Sequence, residues 1–314
     1  MKIVDFDERY VESAMLLAKA NYDEEREHVT SLPEKDLLPD LWYFAGNGLG
    51  VAAMEDDRLI GFLCCYEPWE NAFDSMAKGT FSPIHAHGAI KENRQMIYKR
   101  MYQYAAEKWV KNKISYHGIA LYAHDAESLD AFFTYGFGLR CMDAIRPMRE
   151  IDCKLQDGLM FKELTKAEVC SIRELRKLQS DHMGLSPCFM YSSEEEFKSW
   201  LERAEERDSR LFVAMDGDKP IAFVEVTGTG ENFVTEDHVM RNICGAYCLP
   251  EYRGKDIYQN LLNYTMRKLQ GEGYKLLGVD FESFNPTAYG FWLKYFTAYT
   301  KSVVRRIDEC ALRD

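Results

Sequence analysis

The chain has 314 residues, about twice the length of an ordinary domain, so we expect two domains of similar size. Hydrophobic residues make up 46% and charged residues 29%, which is typical of a folded protein with enough apolar material for two cores. The net charge of −12 disfavours binding to nucleic acids and anionic membranes, because such binding needs a protein surface with excess positive charge.

The first half of the chain reads as a mixed succession of helices and strands. Its start lacks the basic and apolar segments of a signal peptide, and no run approaches the ~20 apolar residues that cross a bilayer, so we expect a cytoplasmic protein. The patterns then predict helices at 8–28 and 35–46, a hairpin at 51–65, a strand ending at Pro83, a helix from Ile97 to Trp109, a strand at 118–122, a short helix at 131–133 and a strand at 144–148.

The second half repeats this order after about 160 residues. It predicts helices at 166–181 and 194–207, a hairpin at 211–226, a strand ending at Pro250, a helix from Ile257 to Leu269, a strand at 276–279, a short helix at 290–292 and a last strand at 302–307. Asp157 and Gly158 mark a turn between the two copies. We therefore predict two mixed α/β domains, 1–152 and 159–314, each closed by its own terminal strand.

The most informative segment is 248–262, in which a strand leads through a loop into a helix. Backbone N–H groups at a helix start have no partner within the helix and carry the positive end of its dipole. Such a turn can bind a pyrophosphate, and Arg253 and Lys255 add positive charge. Asp256 and Gln259 also fit an N-terminal capping pair, in which the Asp256 carboxylate would occupy N–H groups that a phosphate needs.

This segment resembles the signature of the GNAT family of acyl-CoA N-acyltransferases. It keeps four residues of the family's phosphate-binding loop: Arg253, Gly254, Lys255 and Ile257. Asp256 and Tyr258 replace the two glycines of that loop. Asn285 and Ala288 fit the motif of the family's last helix, but Trp292 stands where the family has a tyrosine.

The resemblance implies an α/β fold of two tandem GNAT-like domains, each with a mixed, mostly antiparallel sheet flanked by helices. It covers nearly all of both halves in element order, but the loop at 83–91 of the first half contains no arginine. We therefore expect the C-terminal domain to bind most of the acetyl-CoA. The cofactor-binding residues that the resemblance implies are Cys248, Arg253, Gly254, Lys255, Asp256, Ile257, Tyr258, Asn285 and Trp292.

The family's reaction is a direct attack of an amine on the thioester of acetyl-CoA, and it implies two further roles. A carboxylate must take the proton of the amine, and we assign this role to Glu225 of the second hairpin. The alternative for Glu225 is an ordinary solvent-facing strand carboxylate. A tyrosine usually protonates the leaving thiolate, and Tyr289, one helical turn before Trp292, is the candidate, with Tyr258 as the second. Either tyrosine could instead be a core or rim residue.

The expected function is thus transfer of an acetyl group to a primary amine on a small molecule or a peptide. The alternative is a non-catalytic sensor of CoA thioesters, or a scaffold, which the replaced glycines and tyrosine favour. The nine cysteines are scattered without a CxxC pair, so we expect free, buried thiols and no metal site. His85 and His87 are interpreted as solvated loop residues. The sequence leaves open the identity of the acceptor and whether the protein is a monomer or a homodimer.

Overall fold

The computed structural model describes residues 1–203 and 209–312, and the chain forms two compact units. Unit 1 comprises Met1–Met142 and Ala298–Asp314, and unit 2 comprises Asp143–Thr297. Both units combine helices with mixed sheets, which confirms the predicted fold class.

The element order follows the two predicted copies. The strands are β1 Lys2–Asp5, β2 Val51–Glu55, β3 Arg58–Leu63, β4 Gly79–Ser82, β5 His87–Ala89, β6 Tyr116–Tyr122, β7 Gly138–Pro147, β8 Leu159–Glu163, β9 Arg210–Asp216, β10 Lys219–Thr227, β11 Met240–Cys248, β12 Leu276–Glu282, β13 Thr297–Ala298 and β14 Thr300–Arg306. The helices are α1 Val11–His28, α2 Trp42–Gly46, α3 Arg94–Lys111, α4 Ala126–Thr134, α5 Arg173–Gly184, α6 Glu194–Arg203, α7 Ile257–Gly271 and α8 Pro286–Tyr295.

Two of the predicted helices differ from the observed ones. The helix predicted at 35–46 is limited to α2, because Pro39 has no N–H group to donate and disfavours helical geometry at the residue before it. The helix predicted at 194–207 is observed up to Arg203, and its last four predicted positions lie outside the described residues.

Unit 1 contains an antiparallel sheet in the order β1-β2-β3-β5 and a second group of strands in which β4 lies parallel to β6. Helix α3 covers its core with an apolar stripe of Ile97, Met101, Ala105 and Trp109, whereas Tyr104 is exposed. Trp109 at the end of that stripe is fully buried, and its indole N–H donates to the Leu49 carbonyl over 3.1 Å.

The last strand of the chain belongs to unit 1, whereas the sequence assigns it to the second half. Strand β14 pairs antiparallel with β6 over its whole length, from Thr300 opposite Tyr122 to Arg306 opposite Tyr116. Val303 of β14 is fully buried in the core of unit 1. Conversely, β7 begins in unit 1 but belongs to unit 2 from Asp143 onward. The closing strand of each half is therefore built into the unit formed mainly by the other half.

Unit 2 has the strand order β12-β11-β10-β9-β8, with the end of β7 beside β12. Strands β9, β10 and β11 are antiparallel neighbours, whereas β11 and β12 are parallel. Helix α5 packs on β10 and β11, and helix α7 packs on β9 and β10.

The structure also bears on membranes, metals and thiols. Within the described residues, none of the helices combines the length and the apolar character that crossing a bilayer requires. Across residues 1–203 and 209–312, no three His, Cys, Asp or Glu side chains are placed to share a metal ion. The cysteines are free as predicted, but Cys170, Cys244 and Cys310 are exposed.

Candidate functional site

Strands β11 and β12 of unit 2 separate partway along their length. Their pairing runs from Met240 opposite Leu276 to Ile243 opposite Val279. Beyond that point β11 continues to Cys248 beside β10, and β12 continues to Glu282. In the far half of β11, the edge of backbone N–H and C=O groups that faces away from β10 is therefore not paired with β12. Such groups are strong hydrogen-bonding partners for a ligand.

A groove of about 340 Å³ opens at this separation. Its walls are the last residues of β11, the loop that leads into α7, the first turn of α7 and one face of α8. The lining is mainly apolar and aromatic, with a small number of polar groups, as is typical of small-molecule sites. Seven of the predicted cofactor-binding residues line it: Cys248, Arg253, Gly254, Ile257, Tyr258, Asn285 and Trp292.

Arg253 is held at one end of the groove by the strand that precedes it. Its Nε donates to the Cys248 carbonyl over 2.9 Å, and its guanidinium carbon lies 5.3 Å from the centre of the Tyr247 ring. Gly254 follows with φ of +71°, a backbone conformation that residues with a Cβ rarely adopt. The loop thus fixes a guanidinium group next to a helix start.

Asp256 does not make the predicted capping contacts. It occupies the N-cap position of α7 with φ of +57°, but its side chain accepts no hydrogen bond from the backbone of the helix. One carboxylate oxygen accepts from the Lys154 backbone N–H and the other from Gln259 Nε2, both over 3.2 Å. The prediction that Asp256 occupies the first N–H groups of α7 is therefore wrong, because the left-handed backbone directs the carboxylate to a neighbouring segment. Asp256 and Lys255 do not belong to the groove lining.

Asn285 and Cys248 both line the groove, in structural rather than reactive roles. The Asn285 side chain caps α8 by accepting hydrogen bonds from the Thr287 and Ala288 N–H groups. Burial raises the pKa of the Cys248 thiol to about 11, so its sulfur is protonated near neutral pH and is not an activated nucleophile.

The two candidate tyrosines differ in position. Tyr258 lines the groove, and its hydroxyl donates to the Phe223 carbonyl over 3.2 Å. Burial holds the pKa of Tyr258 well above its usual value, so the hydroxyl keeps its proton. Tyr289 is 41% exposed, packs its ring near Phe281 and is not part of the lining. The structure thus brings Tyr258, and not Tyr289, to the groove.

Glu225 is almost fully buried, so its interpretation as a solvent-facing carboxylate is wrong. Ser209 Oγ donates to its Oε1 over 2.9 Å, and Arg176 Nη1 lies 3.9 Å from its Oε2. The carboxylate lies against Gly245, where an added Cβ would be 3.1 Å from Glu225 Oε2. Glu225 belongs to β10, and its carboxylate lies against Gly245 of β11, the residue before the groove-lining Ala246, although Glu225 is not itself part of the lining.

Asp280, which no sequence motif singled out, lies on β12 immediately after the last residue paired with β11. Burial, together with the nearby carboxylates of Asp143 and Glu231, raises the pKa of Asp280 to about 8. A single acidic residue within the apolar strand 276–281 was the available signal. Asp280 is thus a carboxyl group that can exchange a proton near neutral pH, beside the separated strands.

The pKa of Asp280 predicts a dependence of stability on pH. Between its ordinary value of 3.8 and about 8, the folded protein binds a proton at this site that the unfolded chain has released. The contribution of Asp280 to the free energy of unfolding is therefore largest below pH 4 and falls as the pH rises to 8. We expect Asp280→Asn to remove this fall, so that the gain in the free energy of unfolding is larger at pH 8 than at pH 4 by about 2 kcal/mol or more.

Denaturant unfolding at the two pH values measures this difference. Asp218→Asn, in the exposed turn between β9 and β10, is the matched control and should change stability equally at both. An Asp280→Asn gain that is the same at pH 4 and pH 8 would contradict the assignment.

The corresponding place in unit 1 is filled by the unit's own side chains. There β4 pairs with β6 up to Ser82, and the next strand, β5, pairs with β3 instead. The strands therefore separate in a similar way. His87 spans the gap: its Nε2 lies 2.5 Å from the Ala120 carbonyl of β6, and its Nδ1 lies 2.9 Å from the Tyr98 hydroxyl. Because a carbonyl only accepts, Nε2 carries the proton and Nδ1 accepts from Tyr98. The prediction that His87 is solvated is wrong, and burial lowers its pKa to about 4.

His85 and the helix start of unit 1 complete this picture. His85 is buried rather than solvated, and burial lowers its pKa to about 4. At the start of α3, the Gln95 backbone N–H donates to Glu127 Oε2 over 3.1 Å. A carboxylate of the protein thus occupies the position that an anion would take in unit 1, whereas in unit 2 the N-cap residue Asp256 makes no side-chain capping hydrogen bond to α7.

Comparison with known proteins agrees with this geometry. Residues 173–296 match the family model described as the acetyltransferase (GNAT) family. No curated protein matches the chain.

Among solved structures, a GCN5-related N-acetyltransferase from Sphaerobacter thermophilus aligns with 97% of this chain and 95% of its own at 10% identity and a TM-score of 0.58. The glucosamine N-acetyltransferase region of a fungal multi-domain GH3 β-N-acetylglucosaminidase aligns with 96% of this chain and 38% of its own at 13% identity and a TM-score of 0.51. A tandem GNAT protein of the clavulanic acid biosynthesis pathway aligns with 97% of this chain and 98% of its own at 11% identity and a TM-score of 0.48.

The separated strands, the uncapped helix start and the loop around Arg253 all lie within the matched residues of unit 2. Residues 173–296 of the chain therefore match the acetyltransferase (GNAT) family model, and the protein shares the GNAT fold.

Proposed function

We propose that unit 2 transfers an acetyl group from acetyl-CoA to a primary amine by direct attack, and that unit 1 does not bind this cofactor. The observation that carries the proposal is the contrast between the two units. Unit 2 has an open groove at its separated strands and an uncapped helix beside Arg253. In unit 1, His87 fills the corresponding gap and Glu127 occupies the helix start.

The residues of the groove fit the parts of a CoA thioester. Arg253 and the first N–H groups of α7 would hold the diphosphate, with Lys255 adding charge nearby. The unpaired edge of β11 up to Cys248 would bind the pantetheine arm through backbone hydrogen bonds and donate to the thioester oxygen. Trp292 and Asn285 form the opposite wall. Bound acetyl-CoA supplies the thioester carbonyl that the amine attacks.

Two side chains would handle the protons of the reaction. Glu225 would accept the proton of the amine through a water molecule, since its carboxylate lies against Gly245, next to the groove-lining Ala246. Tyr258, which retains its proton and lines the groove, is the donor for the leaving thiolate in preference to Tyr289.

Two measurements on the full-length chain test the proposal. Calorimetry with acetyl-CoA reports binding, and release of free thiol across a panel of primary amines reports transfer. We expect binding with a stoichiometry of one together with thiol release that depends on the amine. Binding without thiol release for any amine favours the non-catalytic sensor, for which the replacement of the family's tyrosine by Trp292 is the supporting observation.

Glu225→Gln is expected to lower kcat by about 10²-fold, since a positioned proton acceptor contributes on that order. The amide can still accept from Ser209, so the local structure should persist. Because raising the pH neutralises the amine without a protein base, the activity of Glu225→Gln should recover in part at high pH. Steady-state kinetics from pH 6 to pH 10 measures both effects.

The matched control for this variant is Glu236→Gln, which changes an exposed glutamate of the same unit. A Glu225→Gln enzyme with unchanged kcat would remove Glu225 from the mechanism. If Asp280→Asn then shows the loss with recovery at high pH, the proton acceptor is Asp280.

A further inference from the structure

Unit 1 contains a cavity of about 350 Å³ that the proposed acetyl transfer does not use. It lies between the end of α1, the start of α3 and the segment that joins β6 to α4. Its lining is strongly charged, and the five carboxylates outnumber the two side chains with a permanent positive charge. The carboxylates are Glu24, Glu25, Glu27, Asp125 and Glu127, and the cations are Lys91 and Arg94.

Both cations already have carboxylate partners. The Arg94 guanidinium donates to both oxygens of Glu24 over 2.9 and 3.1 Å and lies 3.4 Å from Asp125 Oδ2. Lys91 Nζ lies 3.7 Å from Glu24. Because the Gln95 N–H at the start of α3 is also taken by Glu127, the cavity offers little to an anion. Its remaining charge is negative, which favours a cationic ligand.

Two further residues present polar atoms of defined chemistry. Glu25 is almost fully buried and accepts from His124 Nδ1 over 2.7 Å and from the His124 backbone N–H over 3.2 Å. This pairing fixes the His124 ring, on which the His28 ring stacks at 5.0 Å. Since Glu25 binds Nδ1, the second nitrogen of His124, Nε2, is the ring atom left for a ligand in the cavity.

Tyr122 supplies an independent observation. It lines the cavity and is 5% exposed, yet within the described residues its hydroxyl oxygen has no hydrogen-bond partner. A buried hydroxyl without a partner is costly, and most such groups in proteins have one. A ligand that donates a hydrogen bond to this oxygen removes the cost.

We propose that the cavity of unit 1 binds a small organic ammonium compound, in a site separate from the acetyl-transfer groove of unit 2. An ammonium group carries three N–H donors, which suit the Tyr122 hydroxyl, the His124 ring and the carboxylate of Glu27 on the exposed rim, which has no ion-pair partner among the described residues. The proposal stands on the residues of unit 1 alone and does not depend on the transferase activity.

Calorimetric titration of the full-length chain with 1,4-diaminobutane, in the absence of acetyl-CoA, tests the proposal. The uncharged 1,4-butanediol is the matched ligand and should bind at least about tenfold more weakly, since hydrogen bonds to charged groups are the stronger ones. Tyr122→Phe should weaken diamine binding about tenfold without lowering the thermal midpoint, because it removes only an unpartnered hydroxyl.

Two control variants separate this site from the rest of the protein. Tyr22→Phe removes a neighbouring tyrosine hydroxyl that donates to the Pro33 carbonyl, and it should leave diamine affinity unchanged. Glu225→Gln should also leave it unchanged, since Glu225 belongs to unit 2. Absence of binding to the wild-type chain, equal binding of the diol, or diamine binding that responds to Glu225→Gln but not to Tyr122→Phe would each overturn the proposal.

Discussion

Removal of residues 298–314 is expected to unfold unit 1, which contains the N-terminal part of the chain, rather than unit 2. Strand β14 pairs with all seven residues of β6, and the backbone bonds from Ala123 to Tyr299 and from Ile307 to Ser115 extend this pairing at both ends. Val303 is part of the buried core. Its removal leaves an open strand edge and a cavity within unit 1.

Hydrogen exchange read by mass spectrometry measures this effect amide by amide. In the truncated chain, the amides of β6 should lose most of their protection, while those of β9 and β10 should keep theirs. The control is Lys301→Ala in the full-length chain, which alters a partly exposed side chain of β14 and leaves the strand in place. Retained protection of β6 would show that the strand is dispensable there.

The exchange of closing strands could not be read from the sequence. Alternation of apolar and polar residues in 302–307 predicts a strand and its faces, but not the strand beside which it lies. The repeat predicts the same order of elements in each copy, and both copies follow it except that β4 and β5 of the first copy stand where the second has β11, and that the second copy adds β13. It does not specify which copy an element joins, because that choice depends on long-range packing of side chains such as Val303.

The candidate site was predictable where a local rule applied. The loop around Arg253 and the cap formed by Asn285 follow from short motifs, and the structure places both residues at one groove. The contacts of Asp256 did not follow, because its left-handed backbone sends the carboxylate to Lys154, more than a hundred residues away in the chain. The burial of Glu225 and His87 and the raised pKa of Asp280 likewise depend on neighbours that are distant in sequence.

Arg253→Glu is expected to weaken acetyl-CoA binding by about a hundredfold or more. The substitution removes charge-assisted hydrogen bonds worth about 1.5–3 kcal/mol and places a carboxylate beside the diphosphate, which adds about 1 kcal/mol of repulsion or more. Isothermal titration calorimetry measures the dissociation constant. Arg253→Gln keeps a donor without the charge and should fall between the wild-type and the charge-reversed chain.

The matched control is Lys91→Glu, which reverses a charge in the corresponding loop of unit 1. It should leave acetyl-CoA affinity unchanged, since Glu127 already occupies the helix start there and His87 fills the gap between the strands. If Lys91→Glu weakened binding and Arg253→Glu did not, the cofactor would bind in unit 1, and His87 would have to leave Ala120 and Tyr98 to admit it. Loss of binding in neither variant would place the diphosphate away from both helix starts, and the proposed transferase groove would then have no ligand.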